Sequence, residues 1–175
     1  RFTVERVAGR VPVIAGTGSN DAAYAIALTK YACQVGVDAV LLVTPYYNKA
    51  TQKGLIAMFT AIADASTKPL ILYNVPSRTG VNIEPATYAA LADHPNIAAI
   101  KEAGGSVERV NQLVQALPED FAVLSGDDGL TVPFISCGAV GLVSVTSNVA
   151  PAQMKELVDT ALSGDGKKAL ELQKK

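Results

Sequence analysis

The feature that most limits how this chain can fold is a repeated pattern: a short apolar strand, a polar turn, then an amphipathic helix. Strands are expected to begin near Pro12, Ala39, Pro69, Ile97, Phe121 and Ala139. Their spacing of about 20 to 30 residues is the size of a β-α unit. Val40-Leu41-Leu42-Val43 is apolar throughout rather than alternating. A strand covered on both faces reads this way, and strict β-α alternation of such strands means a parallel sheet. Helix signals fill the gaps. Asn20-Asp21 caps a segment whose apolar face is Tyr24, Ala27, Leu28 and Tyr31. Thr51 opens one carrying Leu55, Met58, Phe59 and Ile62, and Glu84-Pro85 places proline in a first turn. Ser106 starts a helix with Val110, Leu113, Val114 and Leu117, and Pro151 one with Met154, Leu157, Val158 and Ala161.

A doubly wound sheet and a (β/α)8 TIM barrel both satisfy this pattern. Polar and glycine residues follow every strand: Gly16-Thr17-Gly18, Thr44-Pro45-Tyr46-Tyr47, Tyr73-Asn74, Lys101-Glu102, Gly126-Asp127-Asp128, and Ser144 to Asn148. Chemistry drawn from every strand end belongs to the barrel, whereas a doubly wound sheet gathers it at one switch point. The barrel is favoured. It wants eight strands in about 250 residues, and about six of eight β-α units are found here. Phe2-Thr3-Val4 reads as the tail of a helix, so two units are expected ahead of residue 1. Residues 1–162 are assigned to a partial barrel, its third to eighth units, and 163–175 to the start of a C-terminal helical region.

The 175 residues are 49% apolar and 18% charged, enough for a sizeable core. No run reaches the roughly 18 apolar residues of a membrane span, and no signal-peptide pattern opens the chain. The net charge is −1, with Lys and Arg dispersed, which argues against nucleic acid. Cys33 and Cys137 are expected as reduced core thiols of a cytoplasmic protein, with a disulfide as the lesser alternative. The single histidine, His94, rules out a metal site built on histidines and is expected in a surface loop.

Lys101 is the most informative residue. It follows Ile97-Ala98-Ala99-Ile100, an apolar strand that delivers one ammonium at its C-terminal end. Lysine is rarely buried without a partner or a purpose. Desolvation favours the neutral amine, a nucleophile that condenses with ketones. An arbitrary lysine at a strand end would simply reach water; the rest of the chain reverses those odds.

Four stretches, Gly16-Thr17-Gly18-Ser19-Asn20, Val43-Thr44-Pro45-Tyr46-Tyr47-Asn48, Tyr73-Asn74-Val75-Pro76-Ser77-Arg78-Thr79-Gly80 and Ile100-Lys101-Glu102-Ala103-Gly104, are similar in order and spacing to the dihydrodipicolinate synthase family of pyruvate-dependent class I aldolases. Ser125-Gly126-Asp127-Asp128 and Gly141-Leu142-Val143-Ser144-Val145 extend the match along the chain. The resemblance implies that pyruvate forms a Schiff base with Lys101. The resulting enamine attacks the aldehyde of aspartate semialdehyde on the way to lysine and diaminopimelate, with no metal or organic cofactor. It implies Tyr73 as a proton relay and Tyr47 as a second relay that reaches a neighbouring subunit. Tyr46 joins it at the dimer interface of a homotetramer built as a dimer of dimers.

By the same resemblance, Arg78 holds the semialdehyde carboxylate, a task that suits a guanidinium fork. Gly126 and Val143 line the pocket, Gly126 by letting substrate come close. Glu102, alternating with Lys101, is read as pointing away from the barrel interior, and Asp127-Asp128 as a helix N-cap with a rim role.

The family's Thr-Thr turn, which binds the pyruvate carboxylate, would lie before residue 1. The chain as given is therefore expected to bind pyruvate poorly, with two sheet edges that invite other pairings. Asn20 and Tyr46 match a lysine-feedback site, but Tyr24 replaces its glutamate, which argues against feedback. Rival readings are a sibling enzyme such as N-acetylneuraminate lyase or a 2-keto-3-deoxy-sugar-acid aldolase, a non-catalytic barrel fragment, and a nucleotide-binding domain. The two glycines Gly16 and Gly18 barely support the last.

Overall fold

The computed structural model describes residues 1–174; the last residue of the expected segment 163–175, Lys175, lies outside the described residues. In chain order the elements are α1 (Phe2–Val7), β1 (Ile14–Gly16), α2 (Ala22–Gln34), β2 (Ala39–Val43), α3 (Gln52–Asp64), β3 (Leu70–Asn74), α4 (Pro76–Thr79), α5 (Pro85–Ala92) and β4 (Ile97–Glu102). There follow α6 (Val107–Ala116), β5 (Ala122–Ser125), α7 (Thr131–Ser136), β6 (Gly141–Leu142), α8 (Pro151–Leu162) and α9 (Gly166–Gln173), with short 3-10 turns at Asp128–Leu130 and Thr146–Asn148. The chain divides into two compact units, Arg1–Ala99 and Ile100–Lys175.

In the first unit β1, β2 and β3 pair in parallel, with Ile14 opposite Ala39 and Val43 opposite Tyr73. The start of β4 joins them, since the Leu70 amide donates to Asn96 O at 2.7 Å. Val40 and Leu42 on β2, Leu70 and Leu72 on β3, and Leu55, Phe59 and Ile62 on α3 are fully buried. Such strands need apolar cover on both faces, which explains their continuous hydrophobic runs. The expected caps are in place: Asp21 and Thr51 accept from the backbone N–H groups of Tyr24 and Gly54, and Pro85 holds the first turn of α5.

The expected buried face of α2 is corrected. Tyr24, Ala27 and Tyr31 are exposed, and Ala25, Thr29 and Ala32 face inward with Leu28 half-buried. Small side chains let the helix approach the strands closely. The buried Thr29 hydroxyl is satisfied by Thr17 Oγ1 at 2.9 Å, so a polar residue is tolerated inside where a tyrosine would not fit.

In the second unit β5 and β6 are parallel, with Ser125 opposite Leu142. Ile100, Val110, Leu113, Val123 and Phe134 are buried. Val132, Leu157 and Ala169 form a further cluster that Met154, Ala161 and Leu172 cover. This cluster seats α9 on α7 and α8. Gln173 completes the seat, accepting from Val132 N at 3.2 Å and donating to Asp128 O at 2.9 Å.

His94 lies in the turn after α5, as expected, and is held there: its Nε2 meets Asp64 Oδ1 at 3.1 Å, and its Nδ1 accepts from Asn96 N. Cys33 and Cys137 are free thiols, as expected, but both are half-buried rather than core, and Cys33 Sγ lies 3.5 Å from Ser66 Oγ.

Candidate active site

Each unit positions its own set of side chains at the C-terminal ends of its strands. In the first, Tyr73 is the penultimate residue of β3 and Arg78 lies in the short helix α4 that follows. Pro76 fixes the start of that helix, and Gly80, with φ of 72°, ends it in a left-handed cap that glycine adopts without steric cost. Tyr73 and Arg78 share a cavity of about 420 Å³ with Tyr46, Thr79, Gly16 and Gly18. Gly18 owes its identity to space: a Cβ there would lie 2.6 Å from Val43 N. Burial pushes the Tyr73 phenol up from its ordinary pKa, and the Arg78 guanidinium pulls it part of the way back. The phenol is therefore protonated at neutral pH, a donor set beside a cation, and the cavity offers a bidentate site for a carboxylate.

Tyr47 stands apart from this group. Its side chain is 92% exposed, and its backbone has φ of 75°, uncommon for a residue with a Cβ. Its amide is tied to Thr79 O at 3.4 Å. The structure brings Tyr73, Arg78 and Tyr46 together and leaves Tyr47 pointing into solvent.

In the second unit β4 delivers Lys101 at only 8% exposure. Burial lowers the pKa of its amine, and the nearby Asp128 carboxylate raises it part of the way back. Gly126 touches this lysine directly. A Cβ on Gly126 would fall 3.0 Å from both Cγ and Cε of Lys101. The space beside the Gly126 Cα is taken by the lysine stem. Its amide donates to Glu102 O at 2.8 Å, which holds β5 against β4. Val143 donates its amide to Ser125 O at 2.8 Å and is half-buried at the end of β6.

Glu102 is fully buried. It meets Arg109 Nε at 3.0 Å and accepts from Gly104 N at 2.7 Å. The carboxylate thus fastens the end of β4 to α6.

Asp127 caps the turn after β5 by accepting from Gly129 N. Asp128 does something the sequence did not reveal: its Oδ2 accepts from Val145 N, Thr146 N and Thr146 Oγ1, each at 3.0 Å. Burial raises its pKa, but hydrogen bonds from Ser144, Thr146 and Val145 outweigh this and hold the carboxyl below its ordinary range. It is a fixed anion facing the amine, and it latches the loop after β6. Among the described residues, no group of three or more His, Cys, Asp and Glu side chains is placed to hold a metal ion. Likewise no described helix is long and apolar enough to cross a membrane.

The chain is similar in sequence and fold to known proteins. A sequence model of the Dihydrodipicolinate synthetase family matches residues 1–175. The 4-hydroxy-tetrahydrodipicolinate synthase of Geobacter metallireducens is 54% identical over 172 residues, covering 98% of this chain and 59% of that protein. The 4-hydroxy-tetrahydrodipicolinate synthase structure from Methylacidiphilum fumariolicum SolV superposes with a TM-score of 0.97 at 53% identity, covering 99% of this chain and 58% of that one. The chloride-inhibited dihydrodipicolinate synthase of Acinetobacter baumannii complexed with pyruvate gives 0.95 at 48% identity, covering 98% and 59%. The chain belongs to the dihydrodipicolinate synthetase family and has its TIM-barrel fold, with six strands among the described residues. It spans about 59% of the length of the curated relatives it matches.

Proposed function

We propose that this chain carries catalytic residues of an enzyme that condenses pyruvate with L-aspartate 4-semialdehyde, in the biosynthesis of lysine and diaminopimelate. The observation that carries it is Lys101, an amine buried at a strand end whose proton affinity burial lowers. The neutral Nζ attacks the ketone carbon of pyruvate, and loss of water leaves an imine. The imine draws electrons from an adjacent C–H bond, the methyl proton leaves, and the enamine carbon attacks the aldehyde. The amine of the semialdehyde then displaces Lys101 and closes the ring. Each step balances without an external oxidant or reductant.

The other roles rest on the family resemblance together with local chemistry. Tyr73, a phenol held protonated, relays protons during imine formation. Arg78 captures the carboxylate of the semialdehyde. Gly126 and Val143 shape the surroundings of the imine, and no metal or organic cofactor takes part. Tyr47 serves the active site of a neighbouring copy, in keeping with its exposure. Tyr46 and Tyr47 lie at the dimer interface of a cytoplasmic homotetramer. Residues 1–162 supply the third to eighth β-α units, and 163–175 begin the C-terminal helical region.

Pyruvate and borohydride, followed by digestion and peptide mass measurement, test the central claim. A reduced pyruvate adduct on the Lys101 peptide is expected; an adduct on another lysine, or none in the protein expressed from its complete reading frame, overturns it. An aldehyde panel separates this reading from a sibling aldolase. Preference for an acceptor bearing a carboxylate supports the role of Arg78.

A further inference from the structure

The turn that presents Arg78 has an unusual support. Arg78 itself makes no salt bridge among the described residues, so its place depends on its backbone. That backbone lies in the loop from Val75 to Asn82, which leaves β3 and returns toward α5. Asn74, the last residue of β3 and fully buried, closes the loop at its base. Its Oδ1 accepts from Ile83 N at 3.0 Å, and its Nδ2 donates to Asn82 Oδ1 at 2.8 Å.

Gln52, the first residue of α3, braces the far side. It donates to Asn82 O at 2.8 Å and accepts from Glu84 N and Thr87 Oγ1 at 3.1 and 2.7 Å. Within the loop, the amides of Arg78 and Thr79 both donate to Val75 O. The entrance and exit of the Arg78 turn are thus fixed to one buried amide, and that amide sits at the end of a strand paired in parallel with β2.

We infer that Asn74 is a positioning residue for acceptor recognition: by tying Asn82 and Ile83 to the end of β3, it sets where the Arg78 guanidinium stands and so how well the protein selects an acceptor bearing a carboxylate. The inference deepens the reading of Arg78 as the carboxylate clamp and rests on it. A bidentate contact tolerates little displacement. A misplacement of about 1 Å in a positioning group costs up to about 10²-fold in rate, so a loosened loop acts on the acceptor rather than on pyruvate.

The test is steady-state kinetics, on the protein expressed from its complete reading frame, of Asn74→Ala, Asn82→Ala and Asn82→Asp, each with and without Arg78→Ala. Asn82 is exposed, so its variants fold even where loss of the buried Asn74 amide does not permit folding. Asn82→Asp keeps an oxygen for Asn74 Nδ2 and is expected to match the parent. Asn74→Ala, and more weakly Asn82→Ala, are expected to raise the KM for aspartate semialdehyde about tenfold. Pyruvate KM should stay within about twofold, and the effect should vanish in the Arg78→Ala background. Equal losses with and without Arg78, or equal changes in both KM values, overturn the positioning role and leave the clamp intact. An unchanged acceptor KM in Arg78→Ala alone overturns the clamp, and this inference with it.

Discussion

Gly126 lies directly against the stem of Lys101: a methyl group on its Cα would sit 3.0 Å from Cγ and Cε of that lysine and 2.9 Å from Cβ of Ala103. Gly126 does not have a positive φ, so space rather than backbone freedom dictates glycine. Gly126→Ala should push the lysine stem out of place at about 1–3 kcal/mol of stability. The rate of borohydride trapping with pyruvate should fall at least about tenfold. A trapping rate equal to the parent's would show that the stem yields freely.

The Glu102–Arg109 pair gives a stability prediction. Arg109→Leu removes the guanidinium that a fully buried carboxylate meets at 3.0 Å. Breaking such a pair from one side costs about 3–5 kcal/mol. Chemical denaturation should register this as a lower midpoint. Replacing both partners, with Glu102→Gln added, should recover part of the loss, because the orphaned charge is gone.

The pH dependence of trapping follows from Lys101 and Asp128. In the proposed reaction the neutral amine is the nucleophile, so trapping should rise through a pKa lying below the ordinary lysine range. Asp128→Asn removes the charge that raises this pKa and keeps an oxygen for Val145 and Thr146. The inflection should therefore move to still lower pH. An unmoved inflection would confine Asp128 to its loop. The same displacement has a stability counterpart. Between the lowered folded value and the ordinary unfolded value, the unfolded chain binds the extra proton, so stability rises with pH across that window. Lys101→Met, near in volume, should flatten this part of a stability-versus-pH curve.

Tyr47 separates stability from activity. It is 92% exposed, so Tyr47→Phe should leave stability within about 0.5 kcal/mol. As a proton relay it should cost about 10²-fold in kcat. If it serves a neighbouring copy, mixed oligomers of Tyr47→Phe and Lys101→Met chains should be more active than either parent variant. The absence of such complementation would return Tyr47 to a purely structural role.

The strand ends were legible because their physics is one-dimensional. A fully covered parallel strand is a continuous apolar run, so Tyr73, Lys101 and the residues after them could be placed by where each run stops. Caps at Asp21, Thr51 and Ser106 were equally local. The inward face of α2 was not, because apolarity favoured the tyrosines while the space beside the strands admitted only Ala25, Thr29 and Ala32. The side-chain partner of Glu102 lies 7 residues away and the amides held by Asp128 lie 17 and 18 residues away, beyond any spacing rule that would have found them. The same holds for Gly126, whose neighbour is a side chain from the preceding strand.

Gln173 joins the last helix to the backbone oxygen of Asp128, whose carboxylate in turn grips Thr146 and faces the lysine. The last turn of α9 thus holds the backbone of the residue whose carboxylate raises the pKa of the Lys101 amine. A crosslink or protease cut that unwinds the last turn of α9 would loosen the backbone of Asp128 and should show itself in the pH dependence of trapping at Lys101.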